Sequence, residues 1–482
     1  MHKNGVMYLE LFLLACSTLV ASRSIVKTLP GFHGHLPFKL ETGYIGIGEE
    51  EDVQLFYYFV ESEGNPEKDP LIIWLAGGPG CTTLHAFFFE IGPMQIQYGK
   101  YIHNVPALQV DPNSWTKVAN IIYVDAPTLT GYSYTRTLEA ARSSDTLSAS
   151  QTVEFIRKFV RDHPRFSNNP MYVTGISYSG IVIPMVTEEL YKGNEEGLEP
   201  NINIKGYMAG NPLTDESGDR NSRFEYAYHV ALIPKDLFES TKKNCNGEFV
   251  KANSKNLLCT SNLVEVDKRV KDINIQSILD HNCQEATSLL KSLYQIKENQ
   301  ICPEANPIKM VLQHSSANST HRCREDYYNY ATIWAKDKRV MRALGVHEGM
   351  VKEFRLCNLD MRYSSSKSSM PLYEFDVLSS VIYHKMLTKR NCRALIFSGD
   401  HDLMVPYIGT HNWIKSLNLT ITDSNWEAWY SNDEVGGYKT TYARDNYSLV
   451  FATVKGAGHT APEFKHKECF EMVKKWFAYE SI

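Results

Sequence analysis

Met171-Tyr172-Val173-Thr174-Gly175-Ile176-Ser177-Tyr178-Ser179-Gly180 is the stretch from which the fold can be read. An apolar, β-branched run meets a glycine, then a serine among small residues, then the apolar segment Ile181–Val186. A serine hydroxyl attacks a carbonyl only if it stands clear of its own backbone. A sharp strand-to-helix turn achieves this and directs the helix N–H groups at the reacting oxygen. Ile176 is the unexpected member: directly before the serine, it must either face the reaction site or pack beneath it.

Working outward, short apolar runs recur at Leu55–Val60, Leu71–Leu75, Ile121–Val124, Ile204–Ala209 and Ala394–Ser398. Between them lie helical periodicities: Val153, Ile156, Phe159 and Val160 within Asp145–Asp162, and Phe470, Val473, Trp476 and Phe477 near the C-terminus. The alternation predicts an α/β fold with both faces of the sheet covered. From Thr214 to Thr332 the pattern changes to a charged, cysteine-bearing, mostly helical stretch, read as an inserted cap. The organisation expected is therefore a core in two parts, 23–213 and 333–482, around an insertion at 214–332. The piece Cys283–Cys323 is expected to be an exposed loop with a helical turn or two.

A chain of 482 residues with 43% apolar content can bury one large core with such an insertion. Its formal charge of −5 is spread thinly, without a basic tract, so nucleic acid and anionic membranes are not expected partners. Residues 1–22 read as a secretory signal peptide: His2 and Lys3, an apolar stretch from Val6 to Val20 interrupted by Glu10, then Ala21 and Ser22. No later run is long enough to span a membrane, so no membrane anchor is expected. Asn318, Asn418 and Asn446 stand in Asn-x-Ser/Thr glycosylation sites, in keeping with a translocated chain. Of the ten cysteines, Cys16 would leave with the signal peptide. Cys245, Cys259, Cys283 and Cys323 share one polar region without C-x-x-C spacing, which favours disulfides over zinc. His33 and His35 lack further clustered ligands, so no metal is expected, and Gly43–Gly48 lacks the spacing of a dinucleotide loop. No cofactor is implied.

A nucleophilic serine needs a base and a group to orient that base. Ala394–Ser398 runs into Gly399-Asp400-His401-Asp402, and Val454-Lys455-Gly456-Ala457-Gly458-His459 is a second strand-to-turn segment ending in histidine. The order Ser177, Asp402, His459 is that of α/β-hydrolases. Asp402 lies at the loop tip, where an acid reaches the histidine, while Asp400 is read as fastening the turn. An oxyanion hole needs unobstructed backbone N–H groups, and Trp74-Leu75-Ala76-Gly77-Gly78-Pro79-Gly80 offers such a bend. The N–H groups of Gly78 and Tyr178 are the expected donors.

These motifs resemble the serine carboxypeptidase-like family of plants, and within it the acyltransferase branch. The match includes Leu36–Tyr44, Gly77-Gly78-Pro79-Gly80-Cys81, the serine turn, Gly210-Asn211-Pro212-Leu213-Thr214-Asp215, Gly399–Asp402 and Gly456–Pro462. It implies an α/β-hydrolase fold, the same triad and the same oxyanion donors. It also implies the disulfides Cys81–Cys357, Cys245–Cys259 and Cys283–Cys323, with Cys302, Cys392 and Cys469 unassigned. Residence in the vacuole, otherwise outside the cell, and cleavage between Cys283 and Cys323 are implied as well.

The departures bear on the substrate. Peptidase members resemble this chain but carry Asn at the position of Ala76 and Glu at that of Ile176, the pair that binds a peptide's free carboxylate. Acyltransferase members also replace the Asn but usually keep the acid. Glu90, a second acid of that site, would have lost its partner here. Ala76, Gly77, Glu90 and Ile176 are thus the expected substrate-binding residues, and Leu129 stands where relatives usually have Gly. The function implied is acyl transfer from a 1-O-β-acylglucose through acyl-Ser177 to an alcohol acceptor. The alternatives are a secreted carboxypeptidase and a non-catalytic companion of an active paralogue.

Overall fold

The computed structural model describes residues 23–282, 323–361, 372–423 and 425–482. The expected signal peptide, Cys283, Cys302 and Asn318 lie outside the described residues.

Eleven strands follow one another across the main sheet: β1 (Arg23–Val26), β2 (Leu40–Ile47), β3 (Val53–Val60), β4 (Leu71–Leu75), β5 (Asn120–Val124), β6 (Met171–Ile176), β7 (Ile204–Gly210), β8 (Arg393–Gly399), β9 (Thr420–Ile421), β10 (Glu434–Arg444) and β11 (Tyr447–Val454). Their spatial order is β1-β2-β3-β5-β4-β6-β7-β8-β11-β10-β9. From β5 through β11 every neighbouring pair is parallel, and antiparallel strands flank this centre on both sides. The central strands are buried along nearly their whole length because helices cover both faces, the exceptions being Lys205 and Arg393 near the starts of β7 and β8.

Period-2 alternation divides the core in two. Trp74 on β4, Tyr172 and Ile176 on β6, and Leu395 and Phe397 on β8 bury into one face, with Phe470, Val473 and Trp476 of the C-terminal helix. Leu71, Ile73, Val173, Ala394 and Ile396 bury into the other. That second face is covered by α1 (Asp145–Asp162), capped by the Ser144 side chain on Leu147 N–H, and by α2 (Ser179–Glu195). This is the α/β-hydrolase fold.

The stretch expected to be helical carries α3 (Glu216–His229), α4 (Lys235–Asn244) and α5 (Leu257–Val270), with a small core of Ala227, Ile233 and Val266. The boundary expected at residue 332 falls inside α6 (Arg324–Lys336). Tyr330, Ala331 and Trp334 of α6 bury in the main core, so this helix packs with that core and not with the small one. Disulfides join Cys81 to Cys357 and Cys245 to Cys259. Cys323 is also disulfide-bonded, while Cys392 and Cys469 are free and buried. Asn418 and Asn446 are exposed. Among the described residues, no helix is long and apolar enough to cross a membrane, and no cluster of side chains could hold a metal.

The loop leaving β7 is fastened by Asp219, whose Oδ2 accepts from Thr214 N at 2.7 Å and Asp215 N at 3.0 Å. Burial pushes this carboxyl up to about 7 from the ordinary 3.8. The folded protein thus keeps a proton that the unfolded chain releases, so the contribution of this one group to stability is fully present below pH 3.8 and is lost as pH rises through about 7. Asp219→Asn retains an oxygen for both N–H groups and cannot ionise. Denaturant unfolding of the variant should show a flatter dependence between pH 4 and 7 than the wild type.

Candidate active site

β6 ends at Ile176, and the next residue, Ser177, has φ +60. Such a left-handed backbone costs a non-glycine residue about 1–2 kcal/mol. Its neighbours hold it there. Ser177 N–H donates to Gly210 O at 2.9 Å, while Ser177 O accepts from Gly180 N at 2.9 Å and Leu213 N at 3.0 Å. Glycine at 175 is obligatory, since a Cβ there would lie 2.2 Å from Leu75 O and 2.6 Å from Ser179 Oγ.

The end of β8 and the turn after β11 bring two further groups to this serine. His459 Nε2 lies 2.7 Å from Ser177 Oγ, and His459 Nδ1 lies 2.8 Å from Asp402 Oδ2. Both His459 and Asp402 are buried. Asp402 also accepts from Asn211 Nδ2 at 2.9 Å and from Met404 and Val405 N–H at 2.7 and 3.2 Å, which fixes the carboxylate plane against the imidazole. Asp400 instead accepts from Gly456 N–H at 2.7 Å and so ties one turn to the other.

The Ala76–Gly80 bend passes directly beside the serine: a Cβ on Gly77 would stand 2.7 Å from Ser177 Cβ. Gly78 has φ +118, and a side chain there would press on the N–H groups of Gly80 and Cys81. The bend is tied down by the Cys81–Cys357 disulfide and by paired backbone bonds, Thr82 N to Leu356 O and Asn358 N to Gly80 O. Buried Asp125 accepts from Thr82 and Thr83 hydroxyls and from Thr83 and Tyr132 N–H. Tyr178 is the residue from which α2 starts, and its hydroxyl donates to Asp145 Oδ1 at 2.6 Å.

The serine carboxypeptidase family model matches residues 30–479. The chain belongs to the serine carboxypeptidase family. Serine carboxypeptidase-like 17 of Arabidopsis thaliana is 41% identical over 470 residues, covering 98% of this chain and 96% of the relative. Serine carboxypeptidase-like 2 of the same plant is 42% identical, covering 95% and 93%. Among solved structures, KEX1(DELTA)P, a prohormone-processing carboxypeptidase from Saccharomyces cerevisiae, superposes with a TM-score of 0.69 at 17% identity, over 94% of this chain and 95% of that one. That likeness is one of fold.

Within this family site, the expected substrate-binding residues do not share one surface. Ala76 lines a small cavity with Pro79, Ala126, Pro127, Tyr178 and Tyr373. Ile176 is 2% exposed and packs in the core that holds Trp74 and Phe397, so it lies beneath the reaction site. Glu90, without a polar group at position 76 or 176 to meet, has a different partner through one of its two oxygens. It ends a π-helical turn, Ala86–Glu90, and its Oε1 meets His85 Nδ1 at 2.9 Å. Burial opposes protonation of His85, but the Glu90 bond and the charge of Glu463 outweigh it and hold the imidazole pKa above its ordinary value. Leu129 adopts φ +64, the region that favours glycine, and its carbonyl accepts from Asn358 Nδ2.

Sequence reasoning gave no role to Asn211 or Asp145. Asn211 follows an apolar strand in the run Gly210-Asn211-Pro212, and a polar residue at a strand end beside the nucleophile was the available signal. In Asn211→Leu, Asp402 loses one of its donors. A hydrogen bond to a charged group is worth about 1.5–3 kcal/mol, or roughly 10- to 100-fold in rate. Fluorophosphonate labelling of Ser177 should slow by that order in the variant.

Proposed function

We propose that this protein is an acyltransferase that accepts an acyl group from a 1-O-β-acylglucose onto Ser177 and passes it to an alcohol. One observation carries the reading. Ser177, His459 and Asp402 stand in hydrogen-bond contact in a chain whose positions for receiving a peptide carboxylate, Ala76 and Ile176, are apolar.

In the first half-reaction His459 Nε2 takes the Ser177 proton as Oγ attacks the ester carbonyl. The oxyanion is received by the N–H groups of Gly78 and Tyr178, where loss of one donor typically costs about 10²–10³ in rate. His459 then protonates the departing glucose oxygen, leaving acyl-Ser177. In the second half-reaction the acceptor hydroxyl gives its proton to His459 and attacks the acyl carbon, and the proton returns to Ser177 as the new ester leaves. Asp402 holds the imidazole tautomer and stabilises the imidazolium in both. Water competes for acyl-Ser177, so transfer requires an acceptor pocket that excludes it. A free carboxylate desolvated against apolar side chains would cost several kcal/mol, which disfavours a peptide terminus. Entry to the secretory pathway and residence in the vacuole belong to the same proposal, and the disulfides are in keeping with an oxidising compartment.

Purified protein incubated with a panel of acylglucoses and a plant extract should release glucose and form new esters, detected by mass spectrometry, that vanish in Ser177→Ala. Release of a C-terminal residue from a blocked dipeptide, without ester formation, would sink the proposal in favour of a carboxypeptidase. A protein that no fluorophosphonate labels would be a non-catalytic companion. Because Ile176 is buried, Ile176→Glu places an unpaired carboxylate in the core. Its expected effect is a loss of about 3–5 kcal/mol in unfolding free energy, not a simple change of acceptor.

A further inference from the structure

The loop that carries His459 is held from outside the sheet by two stretches distant from it in sequence. The first is Ile275–Asp280. Gln276 O accepts from His459 N–H at 2.6 Å, Ile275 O accepts from Leu403 N–H at 3.0 Å, and Ile278 N–H donates to His401 O at 3.1 Å. One short strap thus bonds the histidine turn and the Asp402 turn together. The fit is close: a Cβ on Gly458 would lie 2.4 Å from Gln276 O and 2.7 Å from Ser277 Cβ.

The second stretch is the start of α6. Arg324 Nε donates to Asp280 Oδ2 at 2.6 Å, at the end of the strap. Its Nη1 lies 3.5 Å from Glu463 Oε1, and its guanidinium stacks 3.7 Å above the Phe464 ring. Glu463 is nearly buried and accepts from Tyr328 OH at 2.9 Å and from Thr460 Oγ1 at 2.8 Å, on the residue after His459. The Phe464 ring edge lies within 2.8 Å of where a Gly458 Cβ would stand. His85 Nε2 approaches Glu463 from the far side at 3.9 Å. The contacts close a ring, from Arg324 to Asp280, along the strap to Gln276 O, across to His459 N, through Thr460 to Glu463 and back to Arg324.

We propose that Arg324 is a positioning residue for His459, clamping the strap and the segment after the histidine so that the imidazole keeps its contacts with both Ser177 and Asp402. The proposal rests on the triad reading above. An exposed ion pair would contribute little. Here the Glu463 partner is taken from water and bonded to the catalytic turn, so removing Arg324 leaves a nearly buried carboxylate with only the more distant His85 imidazole to balance it. Misplacement by about 1 Å from outside the chemistry can cost on the order of 10²-fold.

The test uses the full chain with Arg324→Ala, Arg324→Lys and Glu463→Gln, and Ser177→Ala as the blank. Two quantities are read: the rate of Ser177 labelling by a fluorophosphonate, and the downfield proton resonance of the His459–Asp402 hydrogen bond. Arg324→Ala should label about 10- to 100-fold more slowly, with the resonance shifted or broadened, and Arg324→Lys should recover part of both. Unchanged labelling and an unchanged resonance in folded Arg324→Ala would overturn the clamp. If Arg324→Ala does not fold, Glu463→Gln, which keeps the shape and removes the charge, decides by the same two readings. If the wild type itself does not label, the nucleophile assignment fails. The resonance needs only His459 and Asp402, and it still judges the clamp.

Discussion

The left-handed backbone of Ser177 is the constraint on which the rest of the molecule depends. Nothing in a serine favours φ +60, so the conformation persists only because the surroundings over-determine it. They do so through three parallel strands that end at one level, β4, β6 and β7. Leu75 at the end of β4 excludes any side chain at Gly175, and Gly210 at the end of β7 receives the Ser177 N–H. The sheet order is thereby tied to the chemistry. Separating β4 from β6 would remove both the wall that shapes the turn and the Ala76–Gly80 bend that passes under the hydroxyl.

Much of the site was legible because each acting side chain follows a strand. Ser177, Asp402 and His459 stand just beyond β6, β8 and β11, where parallel strands deliver their following residues to one edge. The choice of Asp402 over Asp400 was readable from distance along the turn, and the hydrogen bonds divide the two acids accordingly. What could not be read depends on geometry that side-chain patterns do not encode. His85 and Glu90 are five residues apart, a separation that an α-helix places on different faces and a π-helical turn brings together. Gln276 acts through its carbonyl, which any residue would supply. The helix that spans residue 332 is hard to place from sequence because α6 begins in a polar, charged run, and only its later residues, Tyr330 and Trp334, show which core it serves.

Ile176 changes meaning once its burial is known. As a residue facing the reaction centre it would set acceptor choice directly. As a core residue beside Trp74 it acts by omission, because an acid there would need a buried partner. Glu90, the other acid of that expected site, already has a partner in His85. Introducing an acid at position 176 would therefore take more than one substitution, since each added buried polar group needs another to satisfy it.

Strand ends place the triad along the sheet edge, but they do not fix the side of the histidine turn that faces away from the sheet. That side is covered by the strap and by α6, through backbone bonds from the strap and through the Arg324 guanidinium and the Tyr328 hydroxyl from α6. Such an arrangement separates two tasks. The sheet fixes which residues meet, and the outer ring fixes how closely the imidazole is held once they have met. Changes in the strap can therefore alter the geometry of the site without touching Ser177, Asp402 or His459, because Gln276 supplies a hydrogen-bond acceptor to the backbone of the histidine itself.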